Sequence, residues 1–154
     1  MNNKYLEQFE RVKRWYKRFE EINLGTQENR SSDDYKDVVY AFFMNCYHLG
    51  DWIINSTSLK ENDINIFVNS HGEMQICKSL CFGSKHLIDK KTSFERQPEI
   101  ARQDISLRIG GDQPVETAMT FWVRVNDRDY NAFEIATECL RLWEEFLKEK
   151  KLLN

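Results

Sequence analysis

Residues 35–55 read YKDVVYAFFMNCYHLGDWIIN, and this stretch decides the fold. At the helical step of about 100° per residue, its apolar side chains cover one half of a cylinder. A helix on the surface of a domain usually carries a narrower apolar stripe. The wide apolar half consists of Val38, Val39, Phe42, Phe43, Cys46, Tyr47, Leu49, Ile53 and Ile54. We therefore predict that residues 35–55 form a buried central helix that several other elements contact.

The remaining arc of this helix carries polar side chains. His48 and Asp51 are three residues apart, so their side chains can meet on one face. A carboxylate beside an imidazole can fix its tautomer, which suits acid–base chemistry. The alternative is that the two groups only satisfy each other at the edge of a helix. Gly50 lies on the apolar side, where it lets another helix approach closely at a cost of roughly 1 kcal/mol in helix propensity.

The composition indicates one domain, residues 1–154, without a strong charge bias. The net charge of −3 argues against broad electrostatic capture of nucleic acid, so any such binding needs a local patch. The apolar runs are too short to span a bilayer, and the polar N-terminus resembles no signal peptide. We therefore expect a soluble, cytoplasmic chain with no membrane partner. No glycine-rich phosphate loop or other catalytic motif is present, so we expect no cofactor.

The four cysteines are Cys46, Cys77, Cys81 and Cys139. No two of them have the Cys-x-x-Cys spacing typical of zinc sites, and each lies on the apolar side of a predicted helix. We therefore expect four buried, reduced thiols and no metal site.

Helices are also predicted on both sides of the central one. Residues 4–22 carry an apolar stripe with a basic outer face, which either binds phosphates or is a solvated, salt-bridged surface; the (i, i+4) charge pairs favour the latter. Ser32 or Asp33 is expected to cap the central helix. Two capping-box patterns, at residues 58–61 and 70–73, predict a short helix and then a helix from about 71 to 82 or beyond.

The C-terminal part of the chain changes character. Alternating apolar residues at 105–109 and 117–125 predict a two-stranded antiparallel hairpin, inserted at about residues 104–126. Asn131 is expected to cap a last amphipathic helix. The predicted fold is mainly α, a four- or five-helix bundle with this hairpin before the C-terminal helix.

Two segments, NCYHLGDW at residues 45–52 and ICKSLCFGSKHL at residues 76–87, resemble a group of small uncharacterised prokaryotic proteins with HLxDW-type and GSKH-type motifs. The helical layout is similar to the HEPN superfamily, whose domains occur in toxin–antitoxin and phage-defence systems. That resemblance implies a bundle that often pairs into a homodimer. In HEPN ribonucleases it also implies metal-independent RNA cleavage, with an Arg followed a few residues later by a His. This sequence has no Arg between Arg30 and Arg96, so that signature is absent.

The two motifs together predict one pocket. We expect His48, Asp51 and His86 to be its catalytic residues if the protein is an enzyme. Asn45, Trp52 and Lys85 are expected to bind the ligand, with RNA or a nucleotide as the partner that the resemblance implies. The predicted function is nucleotide or RNA binding; the alternatives are a metal-independent ribonuclease toxin and a non-catalytic protein-interaction module.

A homodimer is also expected. Besides the resemblance, the partly apolar arc with Ala41, Met44 and Trp52 suits a half-buried contact. Trp15 and Trp122 fall on otherwise polar faces, and tryptophan is favoured at interfaces. The alternative is a monomer in which the hairpin covers this arc.

Overall fold

The computed structural model describes residues 3–28, 30–86, 94–112 and 114–154, with residues 85 and 86 described in the main chain only. Within these residues the chain has five helices and one three-stranded antiparallel sheet. The helices are α1 (Lys4–Leu24), α2 (Ser32–Ser56), α3 (Glu61–Asn69), α4 (Gly72–His86) and α5 (Ala132–Glu149). The strands β1 (Glu99–Arg108), β2 (Glu116–Val125) and β3 (Arg128–Asn131) precede α5. The prediction of a mainly helical chain with β structure before the last helix is confirmed.

Helix α2 is the centre of the fold, as its wide apolar half predicts. It contacts α1, α3, α4 and α5. Six of its apolar side chains are fully buried: Val39, Phe42, Phe43, Cys46, Leu49 and Ile53. Gly50 is the point of closest approach, because an added Cβ there would lie 2.8 Å from a methyl carbon of Ile64 in α3. The predicted role of Gly50 as a contact point for another helix is therefore confirmed.

Side chains cap the N-termini of α2 and α5, and the structure corrects the predicted starts of α2 and α3. Ser31, not Ser32 or Asp33, caps α2, and its Oγ accepts a hydrogen bond from the main-chain N–H of Asp34 at 3.2 Å. The cap must have extended backbone geometry, which Ser31 has and the next residues, already helical, do not. The expected Asn131 cap of α5 is confirmed, because its Oδ1 accepts from two main-chain N–H groups.

The second correction concerns α3, which starts at Glu61 rather than after Ser58. The Asp63 carboxylate accepts from the main-chain N–H of Lys60 at 2.8 Å, so the cap lies two residues further along than the sequence pattern suggests. Helix α4 runs through Gly83 and ends at His86, so this glycine is tolerated inside the helix. The inward-facing residues predicted for α4 are all buried: Met74, Ile76, Cys77, Leu80 and Cys81.

The sheet has three strands, where the sequence predicts two. A two-residue turn, Asn126 and Asp127, joins β2 to β3, because Val125 pairs with Arg128. Asn126 has a φ of 55°, and asparagine is one of the few residues that adopts this left-handed conformation readily. β3 is too short for an alternating pattern, which is why the sequence does not reveal it.

β2 is the main attachment of the sheet to the helices, since it contacts α1 and α5, and β3 also contacts α5. Its predicted inner face, Met119, Phe121, Val123 and Val125, is buried. β1 pairs with β2 but extends past the helical layer, and of its residues only Ile100 is buried. Ile105 and Leu107 therefore remain 56% and 64% exposed, although their spacing predicts a strand correctly. Among the described residues, no helix combines the length and apolarity that crossing a bilayer requires.

Candidate functional site

The polar residues of α2 do not converge on one pocket. They lie on different sides of the helix, which face α1, α4 and solvent. Asn45 faces α1. The Gln8 side chain donates to the main-chain oxygen of Asn45 at 3.0 Å and to its Oδ1 at 3.2 Å. The Asn45 amide in turn donates to the Ala41 carbonyl at 2.8 Å. Gln8 is only 1% exposed, so Asn45 lies in a buried polar link between α1 and α2.

Arg11 extends this link towards the surface. Its guanidinium donates to the Gln8 side chain and pairs with Glu7 at 3.1 Å. The same guanidinium lies over the Trp52 ring, 5.4 Å from the ring centroid. A cation over the face of an indole is a favourable contact, worth about 0.5–1 kcal/mol at exposed sites. Arg11 thus joins the Asn45 link to the aromatic residue of the HLGDW segment.

Trp52 and Asp51 line an open groove at the C-terminal end of α2. The other lining residues are Lys4, Asn55 and Ser56, and the cavity volume is about 340 Å³. Asp51 is exposed and Trp52 is half-buried. The side chains of Asn55 and Ser56 donate to main-chain carbonyls of the preceding helical turn. The groove therefore presents one aromatic surface, one cation and one carboxylate to solvent; we call it the Trp52 groove.

His48 faces α4 instead. Its Nε2 lies 3.6 Å from the Sγ of Cys81, a buried residue of that helix. No hydrogen bond or ion pair joins His48 to Asp51 in the described part of the chain, although the two are three residues apart. The imidazole turns into the α2–α4 contact while the carboxylate turns to solvent. The structure thus gives His48 a thiol neighbour rather than the carboxylate expected from the sequence.

The side chains of Lys85 and His86 lie outside the described residues. Their main chain forms the last turn of α4, and Lys85 follows Cys81 by four positions. The contact between His48 and Cys81 brings α2 against α4 one turn earlier. The convergence of Lys85 and His86 with His48 stays a prediction.

A second groove lies where α1 meets the start of α2, with a cavity volume of about 390 Å³. Arg18 lies over Trp15 at 4.5 Å, and Arg30 pairs with Glu28 at 2.9 Å. Glu21 also lines this groove, so its two arginines are offset by two glutamates. This balance agrees with the sequence-based interpretation of the basic face of α1 as a solvated, salt-bridged surface.

The structure contains a cluster of three buried cysteines that the sequence does not predict. The helices α2, α4 and α5 each contribute one of them. The Sγ atoms of Cys46, Cys77 and Cys139 all lie within 4.8 Å of one another. All three residues are 0% exposed. The Cys77 thiol donates to the Phe43 carbonyl at 3.3 Å, and the Cys139 thiol donates to the Glu73 carbonyl at 3.4 Å. These residues are far apart in the sequence, so no local spacing signals the cluster.

The three thiols differ in acidity because they share hydrogen bonds in a dry environment. Burial raises the pKa of the Cys77 and Cys139 thiols well above the usual range. Burial also opposes ionisation of Cys46, but the Cys139 and Cys77 thiols can turn from the carbonyls and donate to an ionised Cys46 sulfur instead, and this outweighs burial and lowers the Cys46 pKa. Cys46 is therefore the acceptor of the cluster and the thiol that most readily loses its proton.

Comparison of the sequence and the structure with known proteins identifies no relative. The chain matches no protein-family model, no curated protein and no solved structure.

Proposed function

We propose that this chain is a HEPN-like helical domain that binds single-stranded RNA or a nucleotide without cleaving it, in a prokaryotic defence or mobile-element role. The observation that carries the binding part is the Trp52 groove, where Trp52 lies beside Lys4, Asp51 and the Arg11 guanidinium. The family and the biological role rest on the resemblance of the two sequence motifs. The class of ligand, an RNA or a nucleotide, is inferred from the side chains that line the Trp52 groove.

The base and the phosphate of a nucleotide would each find a chemically suitable partner at the Trp52 groove. A base can stack on the exposed part of the half-buried Trp52 ring, and such stacking contributes about 1–3 kcal/mol per base. The Asp51 carboxylate accepts hydrogen bonds from base amino groups. Lys4 and Arg11 are the cations within reach of a phosphate. With Lys4 and Arg11 as the two cations for a ligand confined to this groove, we expect modest affinity and a weak dependence on salt, with a slope of log K against log[salt] near −1.4 for single strands.

The GSKH segment extends the proposed site. Lys85 and His86 end α4, and α4 contacts α2 through Cys81 and His48. We propose that a longer RNA strand runs from the Trp52 groove past His48 to this end of α4. Lys85 would then bind a second phosphate.

Binding without cleavage is favoured by two observations. The sequence lacks the Arg-containing signature of HEPN ribonucleases. In the structure, His48 contacts Cys81 and has no carboxylate to orient its imidazole among the described residues. A general base needs an oriented imidazole within reach of the proton that it takes. The catalytic assignment of His48, Asp51 and His86 therefore belongs to the alternative, a metal-independent ribonuclease.

Titration of a fluorescently labelled single-stranded RNA with the purified chain tests the binding proposal. We expect Trp52→Leu to weaken binding roughly tenfold, since it removes the stacking surface. Lys4→Gln should lower the salt slope by about 0.7. Matched controls are Trp122→Leu, on the sheet, and Lys17→Gln, on the exposed face of α1; both should bind RNA like the wild type. Competition with a mononucleotide distinguishes a nucleotide site from an extended RNA site.

Other results would assign another function. Absence of RNA and nucleotide binding by the wild type would contradict the proposal and favour the protein-interaction module. Growth arrest and RNA fragments on expression of the wild type, both lost in His86→Ala, would favour the ribonuclease.

We also propose that the domain forms a homodimer. The resemblance implies pairing, and the uncovered β1 strand offers an apolar surface for it, because Ile105 and Leu107 are more than half exposed.

A further inference from the structure

Cys46, Cys77 and Cys139 are placed as a set of metal ligands would be. Each comes from a different helix, α2, α4 or α5, and all three sulfurs meet in the core at mutual distances within 4.8 Å. Cys81, the fourth cysteine, also lies on α4 but contacts His48 instead. The cluster therefore contains three of the four cysteines, and the fourth lies elsewhere on α4.

The sulfur distances suit one ion at the centre of the triangle. With a metal–sulfur distance of about 2.3 Å, three sulfurs around one ion lie about 4 Å from one another. The thiols therefore need to move by less than about 1 Å to reach bonding distance. Polar groups beside these sulfurs include the main-chain carbonyls of Phe43 and Glu73, at 3.3 and 3.4 Å, and the Trp143 indole N–H, which interacts with Cys46.

The chemistry of the ligand set restricts the ion. Three sulfur ligands favour soft, thiophilic ions and disfavour Mg²⁺ and Ca²⁺, which take oxygen ligands. Three thiolates carry three negative charges into a core where each cysteine is 0% exposed. A divalent ion leaves a net charge of −1 and a monovalent ion leaves −2, and buried charge is costly. A divalent d¹⁰ ion such as Zn²⁺ binds thiolates well and also leaves the smaller buried net charge.

We propose that Cys46, Cys77 and Cys139 bind one Zn²⁺ ion, which ties α2, α4 and α5 together. Binding replaces the three S–H protons with three metal–sulfur bonds and releases the protons to solvent. Because all three cysteines are 0% exposed, no substrate from solution reaches the ion. Its role is structural, to stabilise the bundle, and it is independent of the proposed RNA binding.

The test uses the full reduced chain and two probes, Zn²⁺ and its spectroscopic substitute Cd²⁺. We expect Cd²⁺ to produce a thiolate-to-metal charge-transfer band in the ultraviolet that saturates at one ion per chain. We expect Zn²⁺, at about a hundredfold excess over its Kd, to raise the Tm by roughly 5–10 °C. Cys77→Ala and Cys139→Ala should each lose the one-ion band, and Cys81→Ala should retain it.

Three results would overturn the proposal. The first is a wild-type chain with no charge-transfer band and no change in Tm, which would mean three reduced thiols bonded only to each other and to carbonyls. The second is one-ion binding that survives in both Cys77→Ala and Cys139→Ala. The third is loss of the band in Cys81→Ala while the chain stays folded. Because the wild-type measurements need no substitution, unfolding of a variant does not remove the test.

Discussion

At the scale of single residues, helical spacing indicates which side chains can meet, but tertiary neighbours decide which do. His48 and Asp51 have the spacing of an interacting pair, yet the imidazole lies against Cys81 of α4. Asn45, expected to bind a ligand, is engaged by Gln8 and by the Ala41 carbonyl. A partly buried amide that already has its partners gains little from a ligand, since new hydrogen bonds would replace existing ones.

Gly50 is a residue whose replacement tests the packing directly. Alanine there would gain up to about 1 kcal/mol in helix propensity. Its methyl group, however, would lie 2.8 Å from a branched methyl of Ile64, which cannot swing away as the end of a long side chain can. Overpacking of this kind costs about 1–3 kcal/mol. We expect Gly50→Ala to lower the free energy of unfolding by roughly 1 kcal/mol in a urea titration.

Gly72 provides the control for this measurement. It is exposed at the first position of α4, and an added Cβ there would meet nothing within 4 Å. Gly72→Ala should therefore leave the stability unchanged or raise it slightly. A Gly50→Ala chain as stable as Gly72→Ala would show that α3 yields at Ile64 and that the close approach is not a constraint.

At the scale of elements, the sequence predicts where a strand lies more readily than which other elements pack against it. The alternation at residues 105–109 predicts a strand correctly, but nothing local shows that β1 passes beyond the helices. The buried face of β2 is predicted correctly because its apolar residues also alternate. β3 escapes prediction because four residues with a polar composition, RDYN, carry no pattern.

Phe121 tests how much the buried face of β2 contributes to the attachment of the sheet to the helices. Its ring is 1% exposed, on the face of β2 that packs against the bundle. Truncation of a buried phenylalanine costs about 3–5 kcal/mol, so Phe121→Ala should lower the free energy of unfolding by that amount. Thr120→Ala, one residue earlier on the opposite face, should cost no more than about 1 kcal/mol. Equal losses for the two variants, measured by urea unfolding, would contradict this division of the strand.

At the scale of the whole molecule, patterns of apolar residues predicted the helical bundle, its central helix and the last helix with its cap. Periodicity reports how a segment buries itself, so it succeeds wherever one face of an element meets the core. The candidate sites depend on contacts between distant segments, which periodicity does not report. The three cysteines show this most clearly, because each looks like an ordinary core residue on its own helix.

The oligomeric state depends on which surfaces of the folded chain remain exposed. β1 is one edge of the sheet, and its Ile105 and Leu107 side chains are uncovered in a single chain. An edge strand presents unpaired main-chain groups on which another strand can pair, although charged residues such as Arg102 and Asp104 of β1 oppose this. A second copy that pairs along β1 would bury Ile105 and Leu107 and satisfy the outward main-chain groups. We therefore expect light scattering at micromolar concentration to give twice the 18.5 kDa mass of one chain.

Two variants locate the interface in the same experiment. Ile105→Lys places a charge in the proposed interface and should return the mass to that of one chain, because unpaired buried charge is costly. Ile66→Lys is the matched control, since Ile66 is similarly exposed, 58% against 56%, but lies on α3. It should remain a dimer. A wild-type mass of one chain would refute the dimer, and a dimeric Ile105→Lys would move the interface away from β1, to the α2 arc that holds Ala41 and Met44.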